Sequence, residues 1–206
     1  MMPSDVYSFL CGNDASAVGF DAHVAGSIIS LGVAERANGG GPLVWSVGLE
    51  AAALGQVVDR FFPRAGNSIR AISHDLPLLR SEDEICLLDL LRRFSTSGSQ
   101  FQCELASMIA RRAQSPNHLW QDLGLRDRGE LSCLMQLHFA PLAMRNNKDM
   151  KWKKFLYRMI CRDAGYSLCA APSCAECGDF AACFGDEGGE SFLARVRRDV
   201  NLATAT

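Results

Sequence analysis

The spacing of apolar residues constrains the fold of this chain more than any other feature. Apolar residues recur every three or four positions between short segments rich in Gly, Pro, Ser and Asn, which is the period of an α-helix. The sequence shows no sustained alternation of apolar and polar residues, which would indicate strands. The clearest helical faces are Leu49–Ala53–Val57–Phe61, Ile85–Leu88–Leu91, Phe101–Leu105–Met108–Ile109 and Leu131–Leu134–Met135–Phe139. We therefore predict an all-α fold.

Length and charge narrow the class of protein. The 206 residues are 48% hydrophobic, which is enough for one domain with a single core. A formal net charge of −2 does not indicate a general nucleic-acid-binding surface. Asp21, His23 and several glycines interrupt the least polar segment, residues 15–34, so we do not expect it to span a membrane. We predict a cytoplasmic protein that binds neither nucleic acid nor a membrane.

Cysteine content points to thiol chemistry. The chain has nine cysteines, an odd number, and its first residues lack the basic and apolar regions of a secretory signal. In a reducing compartment, clustered thiols serve metal or redox chemistry more often than disulfides. Four of them form what we call the cysteine cluster, Cys169-x4-Cys174-x2-Cys177-x5-Cys183. Four converging thiolates suit an iron–sulfur cluster or zinc, and the first three follow the spacing of plant-type ferredoxins.

Other interpretations of the cysteine cluster remain open. A zinc ribbon normally uses two Cys-x2-Cys pairs, whereas this segment contains one. Buried structural cysteines are a further alternative, but the neighbouring residues are mostly small or polar. The sequence therefore allows a metal-carrying protein, a ferredoxin-like electron carrier or iron–sulfur-regulated binding protein, and a zinc-stabilised interaction domain. We predict one domain over residues 1–206, with a helical body at about 15–165, a cluster-binding loop at 166–186, and a short helix and tail at 187–206.

A helix from Asp149 to Ala164 is predicted to lead into the cysteine cluster. Asp149 is placed to cap its start, and Gly165 to end it. One face carries the apolar residues Trp152, Phe155, Leu156, Met159 and Ile160. A second face, which we call the basic stripe, carries Lys151, Lys154, Arg158 and Arg162. The basic stripe is either a solvated helix face or a surface that attracts an anion or an acidic partner.

Three residues outside the cysteine cluster are further candidate metal ligands. Cys161 lies beside the basic stripe and could act as a fifth thiolate. His118 and His138 carry imidazoles, which bind metals, although each also fits an ordinary helical position. The remaining cysteines lack ligand-like spacing, and we expect them to be packing residues: Cys11, Cys86, Cys103 and Cys133.

Three segments together resemble a known family. Residues 117–125 read Asn-His-Leu-Trp-Gln-Asp-Leu-Gly-Leu, residues 149–155 read Asp-Met-Lys-Trp-Lys-Lys-Phe, and Phe-Gly follows the last cysteine of the cluster. This combination resembles the NifQ family across residues 117–185, and residues 48–63 resemble it more loosely.

The resemblance implies a molybdenum donor for nitrogenase and not a turnover enzyme. Such a protein would carry molybdenum, obtained from molybdate, on an iron–sulfur cluster of the 3Fe–4S or 4Fe–4S type held by Cys169, Cys174, Cys177 and Cys183. It would pass the metal to the scaffold proteins on which the iron–molybdenum cofactor matures. The sequence agrees with this expectation, because it contains no phosphate-binding loop, serine nucleophile elbow or His-Glu-x-x-His pair.

Overall fold

The computed structural model describes residues 1–12 and 18–163, with side chains as far as residue 160. These residues form α-helices and one 3-10 turn at Pro63–Ala65, without a strand, which confirms the all-α prediction for the described part. The helices are α1 (Pro3–Cys11), α2 (Phe20–Ala37), α3 (Leu43–Val47), α4 (Ala51–Phe61), α5 (Gly66–Ile72), α6 (Glu82–Arg93), α7 (Gln100–Arg112), α8 (Leu119–Asp122), α9 (Arg128–His138), α10 (Ala140–Ala143) and α11 (Trp152–Asp163).

Helix α2 lies at the centre of the fold. Twelve consecutive residues, His23 to Ala34, are buried on all sides, as expected of a helix without a polar face. Helices α1 and α3 both pack against it. Gly26 permits the close approach of α1, because a Cβ atom at this position would lie 2.6 Å from Sγ of Cys11. No helix in residues 1–12 and 18–163 is both long and apolar enough to cross a membrane.

Helices α6 and α7 form a second packed pair. The segment Ser81-Glu82-Asp83-Glu84 is a capping-box motif, which predicts a helix start at this point. Ser81 does cap α6, by accepting a hydrogen bond from the Glu84 N–H at 3.1 Å. The carboxylate of Glu84 is buried and accepts hydrogen bonds from Arg80 at 3.2 Å and Arg111 at 3.0 Å. This buried ion pair between Glu84 and Arg111 joins α6 to α7.

The predicted helical faces are largely confirmed. The α7 and α9 faces are buried throughout, but Ile85 of α6 is exposed and Leu49 precedes the first turn of α4. One apolar cluster extends from Val6 in α1 to Met159 in α11. The helices of the described part therefore share a core, and α11 enters it by packing against α6.

Candidate functional site

Helix α11 leads towards the cysteine cluster, and its apolar face is packed into the core as predicted. Trp152, Phe155, Leu156 and Met159 are buried, and Ile160 is partly buried against them. The rings of Trp152 and Phe155 meet edge to face, with 5.7 Å between their centroids. Burying four large side chains on one helix stabilises the docking of α11, since each contributes about 1.5–3 kcal/mol.

Tyr157 lies on α11 beside the helical pair α6–α7. Burial raises the pKa of its phenol, the negative charge of Asp83 raises it further, and a hydrogen bond with Gln114 partly offsets both. The phenol is therefore neutral at physiological pH. The hydrogen bond with Gln114 shows that the Tyr157 side of α11 also interacts with the helical body.

The start of α11 differs from the prediction, because Asp149 does not cap it. Asp149 has a positive φ of 51°, and both its carbonyl and its carboxylate accept hydrogen bonds from Arg128, at 2.6 and 2.9 Å. Asn146 bonds both backbone groups of Met150 at 2.9 Å, which closes a turn immediately before the helix. These two interactions hold residues 149–150 in a loop, and α11 begins at Trp152.

The basic stripe is not one continuous exposed face. Lys151 precedes the helix and is only 8% exposed, Lys154 is partly buried, and Arg158 is exposed. The side chain of Arg162 lies outside the described residues. The prediction of a uniform four-residue stripe was wrong at Lys151, because the later start of α11 places this residue in the loop against the core.

Lys153, which the sequence analysis left out of the stripe, forms the main polar anchor of α11. Its ammonium donates to the carboxylate of Asp122 and to the carbonyl of Ser115. The Asp122 side chain is 2% exposed and also accepts a hydrogen bond from Asn117 at 3.1 Å. Arg112 donates to the Asp122 carbonyl at 2.6 Å. The structure thus brings together two of the three segments that carry the family resemblance, residues 117–125 and 149–155.

His118 and His138 occupy different environments. His118 precedes α8, donates its backbone N–H to Gln121 at 3.1 Å, and lines a small cavity beside Lys151 and Trp152. The ring of His138 bonds Asp21 at 2.9 Å and meets Phe101 edge to face. Among the residues that the structure describes, no group of three or more His, Cys, Asp or Glu side chains could hold a metal ion.

A buried polar network around His23 was missed by the sequence analysis. His23 bonds the Tyr7 hydroxyl at 2.6 Å through Nδ1 and the Glu130 carboxylate at 3.2 Å through Nε2. Burial alone would raise the pKa of Glu130. The hydrogen bonds from His23 and the Arg126 N–H, together with the electrostatic attraction of His23 and Arg126 for the carboxylate, outweigh burial and lower this pKa. No local pattern could reveal the network, since His23 and Glu130 are separated by 107 positions.

Comparisons with known proteins point to one family. Its profile, described as NifQ, matches residues 26–185. A NifQ homologue from Sinorhizobium fredii is 37% identical over 172 residues, which cover 84% of this chain and 75% of the relative. The protein NifQ of Rhodobacter capsulatus is 39% identical over 165 residues, or 79% of this chain and 89% of the relative. The chain belongs to the NifQ family.

A third NifQ relative, from Azotobacter vinelandii, is 32% identical over 158 residues, which cover 70% of this chain and 80% of the relative. The NifQ family is implicated in nitrogen fixation. No solved structure matches the chain. The NifQ match begins within α2 and extends through α11 and the whole cysteine cluster, so most of the helical body and all four predicted cluster ligands lie within the same family match.

Cys169, Cys174, Cys177 and Cys183, together with Cys161, lie outside the residues whose side chains the structure describes, as do the predicted loop and tail. Their role as ligands stays a prediction. The packing predicted for the other cysteines is only partly confirmed. Cys11 is partly buried against the core and Cys103 is partly buried. Cys86 and Cys133 are exposed, because each points away from the buried face of its helix.

Proposed function

We propose that this NifQ-family chain carries molybdenum on a molybdenum–iron–sulfur cluster held by the cysteine cluster, and donates it to the scaffold for nitrogenase iron–molybdenum cofactor maturation. The observation that carries the proposal is the family match through residue 185, which includes all four cysteines at their x4, x2, x5 spacing. Four thiolates are soft ligands that fit the iron–sulfur part of such a cluster. Molybdate would be the source of the metal.

The helical body gives the proposed carrier a fixed support. Helix α11 is held by its buried apolar face and by the Lys153–Asp122 pair, and the cysteine cluster follows it directly in the chain. In this proposal the protein acts in the cytoplasm as a carrier that is emptied and refilled, and it performs no turnover chemistry of its own. Its partners are the cofactor-maturation scaffold proteins.

Anaerobic purification followed by metal and sulfide quantitation tests the proposal. We expect iron, acid-labile sulfide and, after growth with molybdate, molybdenum in the wild-type chain. Replacing the four cysteines of the cluster by Ala should remove iron and sulfide, because each missing thiolate opens the cluster to water and oxygen. The matched control replaces Cys86 and Cys133, which are exposed cysteines outside the cysteine cluster, and it should keep the full metal content.

Three outcomes would overturn the proposal. Full iron and sulfide in the quadruple Ala variant would show that the cysteine cluster is not the ligand set. Zinc without sulfide would favour a structural metal domain. Iron and sulfide that never acquire molybdenum, and that deliver none to purified scaffold proteins, would favour an electron carrier.

A further inference from the structure

The segment Ser73 to Ser81, which we call the strap, joins α5 to α6 without a helix, turn or bend. Its backbone is extended at both ends, with φ and ψ of −96° and 95° at Ser73 and of −72° and 162° at Ser81. Exposed and partly buried side chains alternate along the strap, beginning with an exposed one, in the order Asp75, Leu76, Pro77, Leu78, Leu79 and Arg80. Alternation with a period of two is the property of a β-strand, so the strap is a strand-like segment with one face on the helical body.

One edge of the strap is bound to the helical body through its carbonyl groups. The Trp45 indole in α3 donates to the Pro77 carbonyl at 3.1 Å. The Arg111 guanidinium in α7 donates to the Leu79 carbonyl at 2.8 Å and is itself held by the buried carboxylate of Glu84 at 3.0 Å. These contacts fix the strap in its extended conformation, which reduces the ordering cost of binding a partner.

The opposite edge of the strap is open. In an extended chain the N–H and C=O of one residue point to one side, and those of the next residue point to the other side. Because the two bound carbonyls are two residues apart, their neighbours Leu76, Leu78 and Arg80 direct their backbone groups away from the body, and we call these three residues the free edge. None of their N–H and C=O groups forms a hydrogen bond within the part of the chain that the structure describes. Pro77, which has no N–H, lies on the bound edge, where the missing donor does not interrupt the free edge.

We propose that the free edge binds an extended peptide segment of a partner protein, which adds to the strap as a β-strand. Unpaired backbone donors and acceptors on alternate residues are satisfied by the main chain of such a peptide, and strand addition is a recurrent mode of peptide recognition. At about 3.3 Å per residue, residues 75–81 offer an edge roughly 20 Å long.

The outer face of the strap determines which peptide fits. Cross-strand neighbours on one face of a strand pair contact each other, so the peptide side chains on this face would meet Pro77 and Leu79. Leu79 is 72% exposed, and apolar peptide residues would cover it. Asp75 continues the same face, is exposed, and forms no ion pair with any side chain that the structure describes. The partner segment is therefore extended, apolar at alternate positions and basic where it meets Asp75.

A second copy of this chain fits the free edge less well than a peptide. In the symmetric antiparallel register centred on Leu78, Asp75 would face Ser81 of the other copy and would gain no cation. A stable dimer also buries about 1,000 Å² or more, which requires contacts well beyond an edge of this length. A linear peptide needs only the edge itself.

A synthetic peptide, Val-Thr-Val-Thr-Val-Thr-Lys with both ends capped, tests the inference by fluorescence anisotropy with the full chain. In the antiparallel register that places Lys opposite Asp75, the valines cover the outer face and the three Thr N–H groups face the strap. We expect saturable binding, with slower hydrogen exchange at the amides of Leu76, Leu78 and Arg80 and unchanged exchange at Leu79. Methylating the three Thr amides should abolish binding, whereas methylating the second and third Val amides, which face away, should preserve it.

A matched pair of proline substitutions tests the same edge from the protein side. Leu78→Pro removes an N–H of the free edge and should weaken peptide binding about tenfold or more, since it also prevents close pairing of the strands. Leu79→Pro removes an N–H of the bound edge and should weaken binding far less. Asp75→Asn should weaken binding severalfold at low salt and less at high salt. Far-UV circular dichroism establishes that each variant is folded, and the two methylated peptides decide if either proline variant is not.

The inference is overturned if the peptide does not bind the folded wild-type chain, or if the two methylated peptides bind equally well. A peptide-free dimer that Leu78→Pro dissociates would show that a second copy occupies the edge, and would overturn the choice of a partner peptide. None of these outcomes depends on metal content, so this inference and the proposed function fail separately.

Discussion

Replacing Asp122 by Asn should destabilise the fold strongly, because Asp122 is the polar anchor between α8 and α11. The Asn oxygen could still accept the hydrogen bond from Asn117, but its amide cannot accept from the ammonium of Lys153. Breaking a buried ion pair costs about 3–5 kcal/mol. The Lys153 side chain is 19% exposed, and its ammonium would keep the hydrogen bond to the Ser115 carbonyl. We therefore expect a loss of about 2–4 kcal/mol in the free energy of unfolding, reduced from the buried-pair figure.

The assay is urea unfolding of the full chain followed by far-UV circular dichroism. For a chain of this size, the expected loss corresponds to a fall of roughly 4–16 °C in the melting temperature. Asp59→Asn is the matched control, because the Asp59–Arg70 pair is exposed on both sides and pairs of that kind contribute about 0–1 kcal/mol.

A double-mutant cycle separates the pair from other effects. Lys153→Met should cost much less in the Asp122→Asn background than in the wild type, since the two residues interact directly. If Asp122→Asn lost no more stability than Asp59→Asn, or if the two substitutions were additive, the assignment of Asp122 as the anchor of α11 would be wrong.

Three further outcomes follow from the structure. Gly48→Ala should lower the free energy of unfolding, measured with urea, by about 2 kcal/mol or more, because Gly48 has a φ of 80° and a Cβ atom there would lie 2.4 Å from Cβ of Arg111. Gly98→Ala is the control: its φ is 65° but the position is open, so this substitution should cost only the backbone strain. Because folding lowers the pKa of Glu130, its carboxylate contributes fully to the stability of the fold above pH 4.5, the ordinary pKa of the group, and this contribution is lost as the pH falls through the pKa of the folded state. Glu130→Gln should therefore lose less stability than the wild type on acidification below about pH 4.5, and equal losses would contradict the network. The metal-free chain should keep strong helical dichroism, because the core from Val6 to Met159 contains no metal ligand group among the described residues, and a random-coil spectrum would refute this.

Local sequence patterns correctly predicted those structural features that depend only on residues close together in the chain. The buried face of α11, the cap at Ser81 and the apolar stripes of α7 and α9 all follow from the helical period or from a four-residue motif. Cys133 could also have been placed correctly, because the buried face of α9 runs through Leu131, Leu134 and Met135, and Cys133 lies off it.

Contacts between distant residues explain what the sequence analysis missed. Asp149 suits a helix cap by type, but Arg128, twenty-one positions earlier, holds it outside the helix. The role of Lys153 depends on Asp122, thirty-one positions away, so a helical wheel treats Lys153 as one more exposed lysine. The cysteine cluster differs from these cases, because the prediction of a metal site there depends on the spacing of the cysteines alone. The four cysteines lie outside the residues that the structure describes.

The buried position of α2 has a consequence for how the protein is made. Helix α2 ends at Ala37, but α7, which packs on its partners α3 and α4, is complete only about 75 residues later. At about 5–20 residues per second, a ribosome leaves α2 without its full covering for roughly 4–15 s. A nascent chain with such an apolar helix is prone to aggregate, and slower translation prolongs this exposure. Expression yield is therefore expected to depend on chaperone supply, and truncations that end before α7 are expected to be insoluble.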